Sequence, residues 1–339
     1  MIKKQVKQPV KQQLKPETIK DLVSSFQHIR VLLTAFELKI FTVLSNDSNS
    51  SIDVSKKIKA AKRSTDRLLN ALVSLGYLVK KNDTFSNTEF SEKYFVKGKP
   101  AYMSSLMHSA NLWHTWSTLT ESVIKGTSVK QQSSKINDRG EEWLESFIAA
   151  MHYRAAQQAD EVVKLIDMKG VSRVLDLGGG SGAYGMAFVR AKKGVTATVY
   201  DLPNVIPLTK KYIHNAGYAD QITVAEGDYS LDKLPLDFDM IFLSAVVHIN
   251  SMEENSKLIK KCTKSLRKSG TIVILDQIMD ESRTKPLNGA MFALNMLVGT
   301  EYGDTYTESE MTNWFIKAGL TSVKRVDTPF GSGLMIGKR

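Results

Sequence analysis

Apolar and polar positions divide the chain into blocks of different rhythm. Residues 1–16, MIKKQVKQPVKQQLKP, hold few apolar anchors and read as a mobile basic tail. From Glu17 the pattern turns helical: Leu22, Phe26, Ile29, Leu32, Leu33, Phe36, Leu38, Ile40, Phe41 and Leu44 leave apolar residues on nearly every face. Helices that greasy belong to a deep core or to a surface between subunits. The pattern then predicts a short helix over 51–58, a turn at Ala60-Ala61-Lys62, and a second helix. Ser64 is the expected cap of that helix, Leu68, Leu69, Leu72, Val73 and Leu75 its apolar face, and Gly76 its close. Two short strands, 77–80 and 84–86, flank a polar turn. Helix, turn, helix and wing: residues 17–100 predict a winged-helix module.

Residues 101–168 read as all-helical, with one helix over 101–126 carrying Trp113, His114 and Trp116 and another over 141–166 carrying Phe147, Met151, His152 and Tyr153. Aromatic residues at helical spacing are core by default, yet two such helices before a ligand domain can also roof a pocket. The polar stretch 131–138 between them is expected to be a surface loop. From Val171 strands and helices alternate, which predicts a doubly wound parallel sheet over 169–339. Its strands are expected to end at Asp176, Asp201, Glu226-Gly227-Asp228, His248 and Asp276. Ser251 with Glu254, and Thr307 with Glu310, have the spacing of capping boxes that open helices. A closing hairpin, 322–327 and 334–337 around Gly331-Ser332-Gly333, would insert an antiparallel strand.

Composition narrows the picture. At 339 residues with 42% hydrophobic content, two domains with a sizeable core are expected. The one cysteine, Cys262, excludes an internal disulfide and suits a reducing, cytoplasmic setting. No stretch approaches the roughly 18 continuous apolar residues of a membrane span. The basic opening stretch has no apolar centre and is not expected to be a secretory signal. A net charge of +11 and a pI near 9.4 invite a nucleic-acid reading. The lysines, however, are spread along the whole chain, as on an ordinary solvated surface.

The candidate chemistry centres on VLDLGGGSGAYG, residues 174–185. A strand, a glycine turn and a helix start form a nucleotide-site signature, because glycines let backbone approach a ligand and the first helical N–H groups point back at the turn. Gly178, Gly180 and Ala183 formally satisfy the dinucleotide pattern, with Asp201 at the required distance. Asp176, however, places a carboxylate where a pyrophosphate would sit. It suits a ligand with an ammonium group and no phosphate, such as S-adenosylmethionine. Asp176, Gly178, Gly180 and Gly182 form a D-x-G-x-G-x-G pattern that resembles the first motif of class I methyltransferases. The antiparallel ending points the same way. Asp201 could then accept both ribose hydroxyls, and Asp228 the adenine amine with Tyr229 packed nearby. His248, of the six histidines, stands at a strand end in this half, where a base could take the proton of a hydroxyl acceptor. No metal is called for.

Over residues 20–339 the chain resembles the small-molecule O-methyltransferases of plant phenolic and bacterial polyketide-tailoring type, which carry a winged-helix dimerisation domain in front. The resemblance rests on AFELKIF at 35–41, Leu112-Trp113 to Gly126, Phe147 to Met151, Asp176 to Gly182, Tyr200-Asp201-Leu202-Pro203, Gly227-Asp228, Val247-His248 and Leu294-Asn295-Met296-Leu297. It implies a homodimer, His248 as general base, and cofactor contacts from Asp176, Gly178, Gly180, Gly182, Asp201, Leu202, Asp228, Tyr229 and Ser244. It places Trp113, His114, Phe147, Met151, Asn295 and Met296 around a small, aromatic acceptor. Ile249-Asn250 replace the Asp-Trp that follows the histidine in plant members, and Ser244 stands where a lysine is common. The acid that steers the histidine is expected at Glu301 or Asp304. Two alternatives stand beside this reading. One is a DNA-binding regulator using Lys62, Arg63 and Arg67 of the winged helix; the other is a cofactor-binding relative that no longer transfers methyl.

Overall fold

The computed structural model describes residues 15–103, 105–129 and 140–339. The expected tail before Lys15 and the expected loop at 131–138 therefore lie outside the described residues. The chain divides into two compact units, Met1–Ala110 and Asn111–Arg339. That boundary splits the helical stretch expected over 101–168.

In the first unit the apolar run of the opening helices divides by position. Along α1 (Pro16–Ser24) and the start of α2 (Phe26–Glu37), Leu22, Val23, Phe26 and Ile29 are exposed. Further on, Leu33, Phe36 and, in α3 (Ile40–Val43), Ile40 and Phe41 are buried. Phe36, Phe41 and Phe95 pack ring against ring, with centroids 4.9–5.5 Å apart. A three-stranded sheet, in the order β1 (Asn49–Ser50), β3 (Thr84–Asn87), β2 (Leu78–Lys81), closes against α4 (Ser51–Lys57) and α5 (Lys62–Ser74). Its hairpin turns through Asn82 and Asp83, both at positive φ, the two-residue geometry that matches strand twist. Ser64 does not cap α5: the helix begins at Lys62, and the Ser64 hydroxyl donates to the Ala61 carbonyl from inside the first turn. α6 (Glu89–Tyr94), capped by Thr88, completes the winged helix.

α7 (Ser105–Trp116) runs across the boundary, and α8 (Leu119–Lys125) follows after a break at Ser117-Thr118, so the single helix expected here is two. α9 (Glu141–Val163) leads into the sheet. Seven strands lie in the order β11 (Thr321–Asp327), β12 (Gly333–Lys338), β8 (Leu266–Asp276), β7 (Phe238–Ser244), β4 (Arg173–Leu177), β5 (Thr196–Asp201), β6 (Ile222–Glu226). β12 runs antiparallel between β8 and β11, as the closing hairpin predicted. Two short strands, β9 (Ile278–Met279) and β10 (Tyr306–Thr307), pair apart from this sheet.

Strand alternation builds a core on each face. Val174, Val199, Phe242 and Val273 face one side with α9 and α10 (Ala183–Ala191); Leu175, Ile241, Ile272 and Met335 face the other. That second face is covered by α12 (Met252–Ser265) and α14 (Glu308–Lys317), each opened by the capping box expected from sequence. α11 (Ile206–Asn215) and α13 (Leu287–Gly299) complete the unit. Strand order reverses at β4, whose two neighbours are β5 and β7, so the crevice for a ligand falls beyond the carboxyl ends of these strands.

Candidate active site

The glycine turn follows β4. Gly178, Gly180 and Gly182 have φ of 67°, 55° and 76°, a left-handed path that side chains resist. Space adds to the constraint: a Cβ on Gly178 would come within 2.8 Å of Val246, and one on Gly179 within 2.7 Å of Asp176. A Cβ on Gly180 would meet only Ile148, at 3.8 Å. Thr209 donates to the Gly180 carbonyl and the Ser181 hydroxyl bonds His152 Nδ1 at 2.9 Å, so α11 and α9 both brace the turn. The His152 ring stacks on Tyr212 at 4.2 Å, and burial lowers its pKa.

Asp176 is sealed beneath the turn. Its Oδ2 accepts from the Gly185 N–H at 3.0 Å, and its Oδ1 is buried with no hydrogen-bond partner among the described residues. Burial pushes its pKa up to about 7, with the nearby charge of Asp201 adding to the rise. Asp201 accepts from Gly180 N–H at 2.7 Å and from Leu202 N–H at 2.8 Å, and burial raises its pKa to about 6. A carboxylate has about four acceptor positions, so two remain for ligand hydroxyls. Asp228 accepts from the N–H and hydroxyl of Ser230 at the next strand end. A tight left-handed cradle, an orphaned buried carboxylate oxygen and a second carboxylate with capacity to spare fit an amino-acid and ribose ligand.

His248 reaches the site by a detour. β7 ends at Ser244 rather than running on to the histidine; Ala245 takes φ 57°, and a single 3-10 turn, Val247–Ile249, carries the side chain. Asp276, at the end of β8, faces it: His248 Nδ1 lies 2.9 Å from both carboxylate oxygens. A carboxylate only accepts, so Nδ1 holds a proton and, in the neutral ring, Nε2 is the acceptor. Phe292 of α13 meets the imidazole edge to face at 4.8 Å. Both the histidine and Asp276 are buried.

The carboxylate on His248 Nδ1 is Asp276 rather than the expected Glu301 or Asp304. Asp304 gives its backbone N–H to the His248 carbonyl, while its side chain pairs with Arg283. Register explains the exchange: Leu275 pairs with Ser244, so Asp276, the last residue of β8, stands at the same end of the sheet as the turn that follows β7. The Ser244 side chain bonds the Tyr184 hydroxyl, whose pKa burial raises to about 12.

Among the residues expected around an acceptor, Asn295 accepts from Trp116 Nε1 at 2.9 Å and Met296 is buried. Phe147 stacks on Trp143 at 5.0 Å and packs against the cluster of Leu144, Ile148 and Val205, as does Leu202. Trp113 and Met151 are half-buried, and His114 is exposed. Tyr229 bonds Asn250 through its hydroxyl. Sequence reasoning missed Asp276, Phe292, Trp116 and the bracing role of His152. Only Asp276 had a signal, an acid closing a strand as Asp201 does.

A sheet with an inserted antiparallel strand, a glycine turn at its switch point and a histidine–carboxylate pair across from it define a class I methyltransferase. The comparisons agree. Residues 116–321 match the O-methyltransferase domain family and residues 20–97 the O-methyltransferase dimerisation domain. The chain belongs to this O-methyltransferase family, whose methyl donor is S-adenosylmethionine. The chain is 29% identical to a 3-hydroxy-5-methyl-1-naphthoate 3-O-methyltransferase of Streptomyces sahachiroi, with 95% of each chain covered. It is 26% identical to the tetracenomycin polyketide synthesis 8-O-methyl transferase of Streptomyces glaucescens, covering 96% of this chain and 97% of that one. The fold matches a structure of PigF with SAH at TM-score 0.83 and 22% identity, covering 96% of this chain and all of that one. It also matches human N-acetylserotonin methyltransferase in complex with SAM at TM-score 0.77 and 24% identity, covering 97% and 99%.

Proposed function

We propose that the enzyme methylates a hydroxyl of a small aromatic molecule, with His248 as the general base. The observation that carries this reading is the His248–Asp276 pair, which takes up Nδ1 and so makes Nε2 the acceptor nitrogen of the neutral ring at the ligand end of the sheet. S-adenosylmethionine, when bound, supplies an electrophilic methyl group on a sulfonium. Gly178, Gly180 and Gly182 would shape its turn, Asp176 would face its amino-acid end, Asp201 with Leu202 would hold its ribose, and Asp228 with Tyr229 its adenine. Ser244 would line the same edge. A phenol keeps its proton near neutral pH, with a pKa of about 10, so Nε2 must take that proton as the oxygen becomes a nucleophile. Asp276 holds the ring in the correct tautomer and stabilises the imidazolium that forms. Trp113, His114, Phe147, Met151, Asn295 and Met296 are the proposed acceptor contacts. The relatives' substrates, a hydroxynaphthoate and a polyketide, support a fused aromatic acceptor.

The exposed apolar face of Leu22, Val23, Phe26 and Ile29 supports a homodimer formed through the first helices. Among the described residues no helix is long and apolar enough to cross a membrane. With its one cysteine buried, the chain suits the reducing cytoplasm.

Calorimetric titration with S-adenosylmethionine, S-adenosylhomocysteine and NADH, followed by a screen of hydroxylated aromatics for gain of one methyl, tests the proposal. Binding of the first two and methylation of a phenol supports it. Binding of NADH alone overturns it, and cofactor binding without any methyl transfer favours the relative that no longer transfers methyl.

A further inference from the structure

Ile249-Asn250 stand where plant members have Asp-Trp, and the structure shows what the asparagine does instead. Four residues form one chain of hydrogen bonds ending beside the base. The Tyr229 hydroxyl lies 3.1 Å from Asn250 Oδ1, Asn250 Nδ2 lies 3.0 Å from Asn255 Oδ1, and Asn255 Nδ2 lies 2.8 Å from the Val247 carbonyl. That carbonyl belongs to the peptide bond that leads into His248.

The polarity of this chain is fixed from one end. A backbone carbonyl only accepts, so Asn255 must present its amide NH2 to Val247 and its oxygen to Asn250. Asn250 must then present its NH2 to Asn255 and its oxygen to Tyr229. The tyrosine is left with one role, donor. Asn255 is fully buried, so neither amide can turn over without stranding a polar group. The backbone is tied as well: Tyr306 donates its hydroxyl to the Asn250 carbonyl, and the Asp304 N–H donates to the His248 carbonyl at 3.0 Å. A Cβ on Gly303 would strike that same His248 carbonyl, so the loop that supplies Asp304 approaches as closely as a glycine allows.

We propose that Asn250 is a positioning residue that, through Asn255 on one side and Tyr229 on the other, sets the His248 turn and joins it to the loop after β6. The inference rests on the reading above in two respects: His248 is the base, and the Asp228-Tyr229 loop is the adenine side. It adds that the two are one mechanical unit, so a hydroxyl on the cofactor side contributes to the base's geometry without touching the acceptor.

The test is nitrogen NMR of the full chain labelled at histidine, comparing wild type with Y229F and N250A and using H248A to assign the signal. The expected result is that the His248 imidazole signals move in both variants while those of His214 stay in place. S-adenosylhomocysteine affinity should stay within about threefold of wild type in N250A, and kcat on a phenol found in the screen should fall about tenfold in both variants. Because the tyrosine acts through His248, Y229F should add no further loss to H248A. Unmoved His248 signals overturn the proposal, as do signals of His214 moving alongside, or losses that add in the double variant. Wild type that fails to bind S-adenosylhomocysteine overturns the cofactor reading instead, and the NMR comparison still decides this one.

Discussion

Two turns leave the same edge of the sheet on neighbouring strands, and they are held in opposite ways. The glycine turn after β4 is held through its own main chain: Gly178 N–H to the Tyr200 carbonyl, Gly182 N–H to the Gly179 carbonyl, Gly180 N–H to the Asp201 carboxylate, and the Gly180 carbonyl from Thr209. Its special conformation is carried by residues without side chains. The base turn after β7 also begins with a left-handed residue, but that residue is Ala245, and the turn is held by side chains from elsewhere. Asp276, Asn255, Tyr306 and Phe292 come from four different elements. A surface that must approach a ligand closely is built from backbone, whereas a group that must move a proton is built from partners that fix its tautomer and tilt.

This contrast can be broken at either turn. The largest effect is expected from D276N, which keeps the shape of the pair but removes its negative charge and puts a donor NH2 in place of one of the two oxygens that hold Nδ1–H. The methyl-transfer kcat should fall about a hundredfold with S-adenosylhomocysteine affinity unchanged, as calorimetry and steady-state kinetics would show. G178A should do the reverse. Its side chain would be strained at φ 67° and pressed against Val246, so cofactor affinity should fall about tenfold, with kcat at saturation largely preserved. If D276N weakened the cofactor, or G178A only slowed catalysis, the division of labour would be wrong.

A smaller effect concerns pH. Asp176 has a pKa raised to about 7 in the folded chain from an ordinary 3.8. Between those values the native state holds a proton that the unfolded chain has released, so stability should fall as pH rises from about 4 to about 7 and level off above. D176N cannot ionise and should show a shallower decline in urea unfolding across that window; an identical slope would remove Asp176 as the source. The smallest effect is S251A. Losing one capping-box bond at the start of α12 should cost about 1 kcal/mol of stability and leave turnover intact.

The same contrast governs what was legible in the sequence. Asp176 to Gly182 are contiguous, and the need for positive φ selects glycine, so the turn and its ligand class could be read from one stretch. The parallel sheet and its antiparallel insertion followed from the alternation and from the closing hairpin. The partner of His248 could not be read this way. Asp276 is 28 residues away along the chain, and only the pairing of β7 with β8 brings it to the histidine. Counting from family spacing led instead to Glu301 and Asp304, and Asp304 supplies a backbone N–H rather than a carboxylate. Ser64 failed as a cap for a related reason: a hydroxyl near a helix start bonds a backbone carbonyl as readily as it caps.

The most direct test of the account is the rate of methyl transfer by H248A at saturating S-adenosylmethionine, measured beside wild type on the same phenol. A loss of at least about a hundredfold, with S-adenosylhomocysteine binding unchanged, is the predicted result. Equal rates would contradict it, leaving a protein that aligns the two reactants and removes no proton.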